Sequence, residues 1–290
     1  MPTTRRRDPQ ALLPRPLQVA SIIVLSVIVL VPLAYMLLLS VAPDADVAAG
    51  RIWPSVWAFG NYVTMWSATG LAQGIVNSIV TAGVAAVVAT SLAVGAGYCL
   101  ARYTFFGRRG YLYGLIGLQA IPQTMLLLPL FAVYASIQTA LSILVIGSRV
   151  ALIVTYLTFA LPFATWVMLT YIQEIPRELE EAARVDGASR FTAMRRVVVP
   201  LCWPGMVVAL VFSFLLGWND VLFASVLSNP GTRTVAISLQ VFNQSIEGGG
   251  LPLYGQLMGA SVISALPVVV LYMVFQRYLL SGLTAGGVKG

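Results

Sequence analysis

The sequence predicts an all-α polytopic membrane protein with six transmembrane helices, on three observations. Hydrophobic residues make up 59% of the chain and charged residues only 9%, whereas soluble domains carry about 25% charged residues. Six apolar stretches are each long enough to cross a bilayer as a helix, which takes about 20 residues. The basic residues fall almost entirely in alternate connections between these stretches, as the positive-inside rule requires.

The apolar stretches follow one another along the whole chain. They lie at about 17–41, 73–100, 111–136, 145–172, 202–226 and 257–280. The first follows a basic N-terminus, as the core of a signal peptide would. Its uncharged run from Pro16 to Pro43 is longer than a signal core of about 7–15 residues, so we expect a retained span. The third contains Pro122 and Pro129, and we expect it to be kinked or broken, because proline frees a backbone carbonyl.

The distribution of Lys and Arg predicts the orientation. With a cytoplasmic N-terminus, the inner segments hold 14 basic residues and the outer segments hold three, Arg51, Arg149 and Arg233. Both termini and the connection between spans four and five are then cytoplasmic. The expected division is a cytoplasmic tail at 1–16, the first span with its outer loop at 17–70, a transmembrane core at 71–281 and a cytoplasmic tail at 282–290.

Several classes of function are disfavoured by what the sequence lacks. It has no histidine, the usual general base and the commonest transition-metal ligand, and no metal site is predicted. Its basic residues form no stripe that would suit nucleic acid. The only lysine, Lys289, is followed by Gly290, so the Gly-Lys-Ser/Thr core of a P-loop cannot be built. Any step driven by ATP must therefore use a site on another polypeptide.

Acidic residues are almost absent from the predicted spans. Asp220, in span five, is the only one, and a single carboxylate cannot form the dyad of an aspartyl enzyme. Secondary transporters often use intramembrane acids to couple solute movement to an ion gradient. An ion-coupled secondary transporter therefore stays open as a minor alternative.

The connection between spans four and five gathers ten of the chain's 27 charges between Glu174 and Arg196, in balanced signs. Gly187 permits a sharp turn and Ser189 suits the N-cap of a second short helix, which predicts a helix–glycine–helix elbow ending near Pro200. Small residues around the turn would let another surface approach closely. The alternative from the residues alone is a solvated loop stabilised by i,i+4 pairs such as Glu180–Arg184.

The segment "EAARVDGASRFTAMRRVVVP", at 181–200, resembles the EAA loop of permease subunits of ABC importers. The family pattern is Glu-Ala-Ala, three residues, Gly, nine residues, then Ile-x-Leu-Pro. Here the spacing is intact, with valine at both aliphatic positions. The resemblance implies that this elbow is the coupling helix that docks into a groove of a cytoplasmic ATPase. The residues carried over to that role are Glu181, Ala182, Ala183, Asp186, Gly187 and Pro200.

Other stretches are similar to the maltose-type, or carbohydrate-uptake, permeases. They include "GWNDVLFASVLS" at 217–228 and the C-terminal "GLTAGGVKG". The resemblance implies a multi-pass protein of a bacterial inner membrane that pairs with a homologous permease and takes a sugar from an extracytoplasmic solute-binding protein. Two partner ATPase subunits would carry ATP and Mg, with no cofactor in this chain, and the tail residues Thr284, Gly286 and Lys289 would contact them. A glycerol-phosphate or polyol solute stays open.

A sugar route through the membrane needs hydrogen-bonding side chains and aromatic faces. The candidates in the predicted spans are Asn77, Ser78, Gln119, Gln123, Tyr156, Trp218, Asn219 and Asp220. The same residue types also join membrane helices to one another or cap helix ends, so each candidate has a structural alternative.

Overall fold

The computed structural model describes residues 14–249 and 253–285, and the elements within these ranges are all helical. The first half contains α1 (Arg15–Ser40), α2 (Asp44–Ala48), α3 (Asn61–Thr69), α4 (Leu71–Arg102), α5 (Arg108–Ala120), a 3-10 turn (Gln123–Leu126) and α6 (Leu127–Leu141). The second half contains α7 (Arg149–Glu174), α8 (Arg177–Val185), α9 (Arg190–Ala193), a π-helical turn (Met194–Val198), α10 (Val199–Leu201), α11 (Trp203–Trp218), α12 (Leu222–Leu227), α13 (Val235–Glu247) and α14 (Tyr254–Ala285). The predicted all-α class is confirmed.

Among the described residues, five helices are long and apolar enough to cross a membrane. They are Pro16–Ser40, Leu71–Arg102, Gln123–Leu141, Arg149–Glu174 and Tyr254–Leu279. A bent pair, Arg190–Leu201 followed by Trp203–Trp218, gives a sixth if it is counted as one span. Six spans are therefore accommodated, with the third and fifth departing from the predicted limits.

The third predicted span, 111–136, is broken and its limits were wrong. Helix α5 ends at Ala120, and Ile121 and Pro122 have extended backbones, with ψ of 122° and 123°. Proline disfavours the helical conformation in the residue before it and offers no N–H, so Pro122 stops the helix. The helix of membrane length begins only at Gln123 and runs to Leu141.

The fifth predicted span, 202–226, is interrupted twice. The helix bends by 73° between Leu201 and Trp203, so the turn predicted at Pro200 falls two residues later, at Cys202. Pro204 has no N–H to donate to the carbonyl of Pro200, which breaks the helical hydrogen-bond ladder at this point. A second break follows Trp218, and the short helix α12 begins at Leu222.

The centre of the molecule is formed by α4, α7 and α11, which pack along one another. The buried face of α4 is rich in small residues, including Ala82, Ala85 and Ala89, which let neighbouring helix backbones approach closely. Gly217 shows how close this approach is, because a Cβ added there would lie 2.7 Å from a ring carbon of Tyr156. Helix α14 packs against α11, and α1 packs outside α14 with most of its side chains exposed.

The loop between α1 and α4 lies on the predicted outer side and is held by a buried acid. Asp46 accepts hydrogen bonds from the backbone N–H of Ser55 at 2.7 Å, from its hydroxyl at 2.5 Å and from Arg51 at 3.1 Å. The Ser55 hydrogen bonds, aided by Arg51, hold the pKa of Asp46 below its usual range. The loop is thus ordered by its own polar contacts.

Candidate functional site

The charged connection between α7 and α11 forms the predicted elbow. Helix α8 follows Pro176, and α9 follows Ser189, whose hydroxyl oxygen accepts from the N–H of Thr192 at 3.2 Å. Between the two helices, Gly187 has a φ of 87°, a left-handed conformation that side chains resist. The helix–glycine–helix geometry is therefore confirmed in each of its parts.

The elbow is fastened to α4 by a buried ion pair. Glu180 is only 8% exposed, and its carboxylate accepts from the guanidinium Nε of Arg102 at 2.5 Å and from the hydroxyl of Tyr98 at 2.8 Å. Arg102 also donates to the carbonyl of Ile175 at 2.9 Å. The Glu180–Arg184 pair of the solvated-loop alternative does not form, because Glu180 points inward to α4 and pairs with Arg102, while Arg184 is exposed.

A second set of contacts ties the elbow to the same end of α4. Arg177, the first residue of α8, donates to the carbonyl of Ala101 at 3.2 Å. The guanidinium of Arg190, the first residue of α9, lies 5.6 Å from the ring centre of Tyr103, within cation–π range. Both helices of the elbow therefore contact the end of α4, and a free solvated loop is not what the structure contains.

The opposite face of the elbow is open and partly apolar. Val185 is 88% exposed and Phe191 67% exposed, beside the exposed Glu181 and Ala182. A Cβ added to Gly187 would meet nothing within 4 Å in this chain. These two large apolar side chains are the most exposed ones on the elbow, and they are available for contact with another surface. Of the six predicted coupling residues, five lie on the elbow, and Pro200 lies beyond it in α10.

The predicted tail contacts are mostly outside the described residues. Gly286 and Lys289 fall there, and Thr284 belongs to the last turn of α14, where the backbone alone is described. Their contact with an ATPase stays a prediction.

A groove of about 690 Å³ opens between α7, α11 and α12. Its lining includes four of the eight predicted solute-route residues, Gln123, Tyr156, Asn219 and Asp220. The break between α5 and α6 contributes Gln123, and the break between α11 and α12 contributes Asn219 and Asp220. The two helix interruptions thus supply most of the polar groups of the groove.

Asp220 orders the chain at the second break. Its carboxylate accepts from the N–H of Phe223 at 3.2 Å and of Ala224 at 2.9 Å, which caps α12. The hydroxyl of Tyr156, fully buried on α7, donates to the same carboxylate at 3.0 Å. The capping alternative given for Asp220 is therefore what the structure shows, at the edge of the groove.

Asn77 and Ser78 are not part of the groove lining. The amide of Asn77 donates to the carbonyls of Gly231 and Arg233 at 3.1 and 2.8 Å, and its oxygen accepts from Arg149 at 2.8 Å. The hydroxyl of Ser78 accepts from the N–H of Val235 at 2.8 Å. Both side chains are fully buried. They do not line a route, because Asn77 joins α4 to the connection before α13 and Ser78 joins it to the first residue of α13.

The remaining two candidates are also placed elsewhere. Trp218 is buried against Phe214, with ring centres 5.4 Å apart, and it does not line the groove. Gln119 is exposed near the end of α5, outside the lining. Several polar residues within apolar stretches were thus correctly expected to form hydrogen bonds. Their position in the sequence did not show which of them line the groove.

Two residues of interest were missed from the sequence. Ser213 is 2% exposed, lines the groove, and its hydroxyl has no hydrogen-bond partner among the described residues. It is the only hydroxyl in the apolar run "VVALVFSFLLGW", which was the available signal. Arg102 was missed as well. A charged residue at the end of span two needs an acidic partner, but the sequence did not show which acid of the elbow would pair with it.

The chain is thus a helical membrane protein with an exposed elbow fastened to its central spans. Residues 92–284 match the family described as binding-protein-dependent transport system inner membrane component. The chain belongs to this family, which is that of the permease subunits of ABC importers.

Named relatives agree over nearly the whole length. The chain is 32% identical over 262 residues to the trehalose transport system permease protein SugB of Mycobacterium tuberculosis, covering 90% of this chain and 93% of SugB. It is 34% identical to the inner membrane ABC transporter permease protein YcjP of Escherichia coli, covering 91% and 92% of the two chains. It is 30% identical to the trehalose/maltose permease protein MalG of Thermococcus litoralis, covering 97% and 99%.

A solved structure shares the fold. A chain of a bacterial ABC transporter that imports the acidic polysaccharide alginate superposes with a TM-score of 0.72, covering 92% of this chain and 98% of that chain. The two sequences are 21% identical, so this likeness concerns the fold alone.

Proposed function

We propose that this chain is a permease subunit of a bacterial importer that takes up a sugar, and that it forms the route together with a homologous permease. Two ATPase subunits, carrying ATP and Mg, dock on the elbow, and a solute-binding protein delivers the sugar on the outer side. Both termini lie in the cytoplasm. Sugar as the solute is supported by the names of the relatives, which include trehalose, trehalose/maltose and diacetylchitobiose transport proteins.

The observation that carries the proposal is the elbow with its two different faces. One face is fixed to α4 through Glu180 and Arg102, and the other presents Val185 and Phe191 to the surroundings. A displacement imposed on the exposed face by a docked ATPase is therefore transmitted to α4, which packs along α7 and α11. Since α7 and α11 bound the groove, closure of the ATPases would change the width of the route.

Energy for transport comes from the partner subunits in this proposal. The sole lysine of the chain is Lys289, next to its last residue, so this chain supplies no P-loop. Its contribution is mechanical, because α4, which holds the elbow, packs along α7 and α11, which bound the groove.

The test is reconstitution of the four-subunit complex with the binding protein, measuring ATP-driven uptake of a panel of labelled sugars. Gly187→Leu should leave the chain inserted and paired with its partner permease. It should reduce ATPase retention and uptake by at least about tenfold, because a bulky side chain would occupy the docking face.

Two controls separate bulk from backbone strain. Gly107→Leu carries the same substitution at another glycine with φ of 87° and open space around it, outside the elbow, and should transport normally. Gly187→Asn introduces a residue that tolerates the left-handed conformation, so this variant should retain more uptake than Gly187→Leu. Normal uptake by Gly187→Leu would show that the elbow is not a docking face.

A further inference from the structure

The junction between the elbow and the end of α4 contains a pocket of about 220 Å³. A water molecule takes about 30 Å³ of liquid volume, so a considerably larger group fits. The charged residues of the lining come from α4, α8 and α9. They are the four arginines Arg102, Arg177, Arg184 and Arg190 and the two glutamates Glu180 and Glu181, which gives a net charge of +2 and favours an anion.

Two of the four arginines keep their hydrogen-bond donors available for a ligand. Arg102 is held by Glu180, and Arg177 is held by a backbone carbonyl of α4. Within the part of the chain that the structure describes, Arg184 makes no hydrogen bond or ion pair, and Arg190 makes only its cation–π contact. A guanidinium group presents its donors as a fork that matches two oxygens of a phosphate. These two side chains therefore suit a phosphate group.

The pocket lies on the side of α8 that faces α4. Successive residues of a helix are about 100° apart, which places Arg177 and Arg184 about 60° and 40° from Glu180 around the helix axis. Val185, on the exposed face of the elbow, is about 140° from Glu180. Glu181, about 100° away, is exposed and stands at the rim of the pocket. Apart from this rim residue, the pocket is separate from the face proposed for ATPase docking.

The end of α4 reaches the level of the lipid headgroups. The helix has 32 residues and is about 48 Å long, whereas the hydrocarbon core of a bilayer is about 30 Å thick. The connection after α4 carries Tyr103, which lines the pocket, and the exposed Phe105 and Phe106, and the exposed Arg109 follows in α5. Aromatic residues at the interface and basic residues on the cytoplasmic side are typical of membrane proteins. The pocket is therefore expected at the depth of the lipid phosphates.

Three kinds of anion could occupy such a pocket: a lipid headgroup, free phosphate and a carboxylate of the ATPase. Free phosphate lacks an apolar part, whereas the exposed Phe105 and Phe106 beside the pocket offer a surface for acyl chains. Anionic lipids of the cytoplasmic leaflet are also attracted to basic groups at the membrane surface. A carboxylate of the ATPase would have to approach from the side of α4, away from the exposed face of the elbow. These observations favour the lipid.

From these features we infer that the pocket holds the headgroup of an anionic phospholipid of the cytoplasmic leaflet, whose phosphate is bound by Arg184 and Arg190. The lipid joins α8 and α9 to the end of α4, beside the ion pair of Glu180 and Arg102, and is part of the attachment of the elbow. The inference takes the cytoplasmic position of the elbow from the proposed function and goes beyond it, because it assigns a lipid site.

The test uses the complete importer, purified in a neutral detergent, and a phosphatidylglycerol analogue with a photoreactive diazirine on its headgroup glycerol. After illumination and digestion, mass spectrometry measures the yield of crosslinks in residues 177–193, at probe concentrations below saturation. Unlabelled phosphatidylglycerol should compete with the probe. Phosphatidylcholine, which has no net charge, should compete at least about fivefold less well. Inorganic phosphate at the same concentration should not compete.

Substitutions of the two available arginines show whether the site is specific. Arg184→Gln should lower the crosslink yield about fivefold and Arg184→Gln/Arg190→Gln about 25-fold, because each basic residue near an anionic membrane surface contributes about that factor. Arg184→Lys keeps the charge and should retain most of the yield. Arg195→Gln is the matched control, since Arg195 is an exposed arginine of the same connection outside the lining, and it should leave the yield unchanged.

Several results would overturn the inference. Equal losses in Arg195→Gln and Arg184→Gln would indicate a diffuse attraction between lipid and basic surface. Competition by inorganic phosphate as strong as that by phosphatidylglycerol would assign the pocket to a soluble anion, and equal competition by phosphatidylcholine would exclude recognition of charge. Crosslinks that form in the permease pair and disappear when the ATPase subunits are bound would assign the pocket to a group of the ATPase.

Failure of this inference is distinguishable from failure of the proposed function. An importer that takes up a sugar without any crosslink in residues 177–193 overturns the lipid site alone. Crosslinking as expected, together with no uptake of any sugar, counts against the proposed function and supports the lipid site.

Discussion

Glu180 and Glu181 are adjacent in the chain and have opposite environments. Successive residues of a helix point about 100° apart, so Glu180 turns toward α4 and Glu181 turns outward. The first is held by Arg102 and Tyr98, and the second is free for a partner. One acid thus fixes the elbow within the subunit, while its neighbour belongs to the exposed face.

Removal of Arg102 should loosen the elbow. Arg102→Ala leaves the buried carboxylate of Glu180 without its counter-ion, which costs about 3–5 kcal/mol for a buried pair. Amide hydrogen exchange over residues 177–193 in the purified subunit should therefore become faster. The double variant Arg102→Ala/Glu180→Ala should recover part of the protection, because no uncompensated charge remains.

The exposed Arg184→Ala serves as the control for this change and should exchange as the wild type does. Equal exchange in the Arg102 single variant and the wild type would mean that the ion pair does not fix the elbow.

At the level of the helix, the six apolar stretches correspond to five spanning helices and one bent pair among the described residues. They did not predict where the spans are interrupted. Pro122 gave a signal for the first break, and both a kink and a break were compatible with it. The break after Trp218 has no proline at all. It depends on Asp220, whose carboxylate caps α12 and bonds to Tyr156, a contact between residues 64 apart in the chain.

Loss of the Asp220 carboxylate should destabilise α12. Asp220→Ala removes an N-cap, which costs about 0.5–2 kcal/mol, and leaves the buried hydroxyl of Tyr156 without its partner. We expect a lower midpoint of thermal unfolding in detergent, followed by tryptophan fluorescence. Asp220→Asn should lose less, because its side-chain oxygen can still accept from the backbone.

The neighbouring Asn219→Ala is the matched control for stability, since Asn219 is exposed and caps no following helix. An Asp220→Ala chain that unfolds at the wild-type temperature would show that α12 forms without its cap.

For the molecule as a whole, hydropathy and charge were enough to predict the helical class and a set of spans that the five spanning helices and the one bent pair accommodate. The elbow needed its glycine, its N-cap and the resemblance to a known loop as well. They were not enough for the lining of the groove. Asn77 and Ser78 are polar, lie in a span and yet face a neighbouring connection. Ser213 lies in an equally apolar stretch and is nevertheless one of the residues that line the groove. The direction of a side chain around its helix depends on contacts with residues that are distant in the sequence. Those contacts cannot be inferred from a single sequence.

The orientation of the whole chain can be tested with single thiols in a chain lacking Cys99 and Cys202. Cysteines at Ala49 and Gln244, both exposed on the predicted outer side, should react with an impermeant reagent in intact cells. Cysteines at Thr104 and Val185 should react only after permeabilisation, because the positive-inside distribution places them in the cytoplasm. The reverse pattern would contradict the six-span orientation.

The hydrogen bonds that join Asn77 of α4 to a later part of the chain also affect the order in which the protein folds during synthesis. The carbonyls that receive its amide belong to residues 154 and 156 positions further along the chain. At about 5–20 residues per second, a ribosome delivers those partners roughly 8–30 seconds after Asn77 itself. During that interval the side-chain amide of Asn77 can donate only to water or to acceptors other than its final ones. The outer end of the bundle therefore closes late in synthesis, once residues 231–235 have arrived.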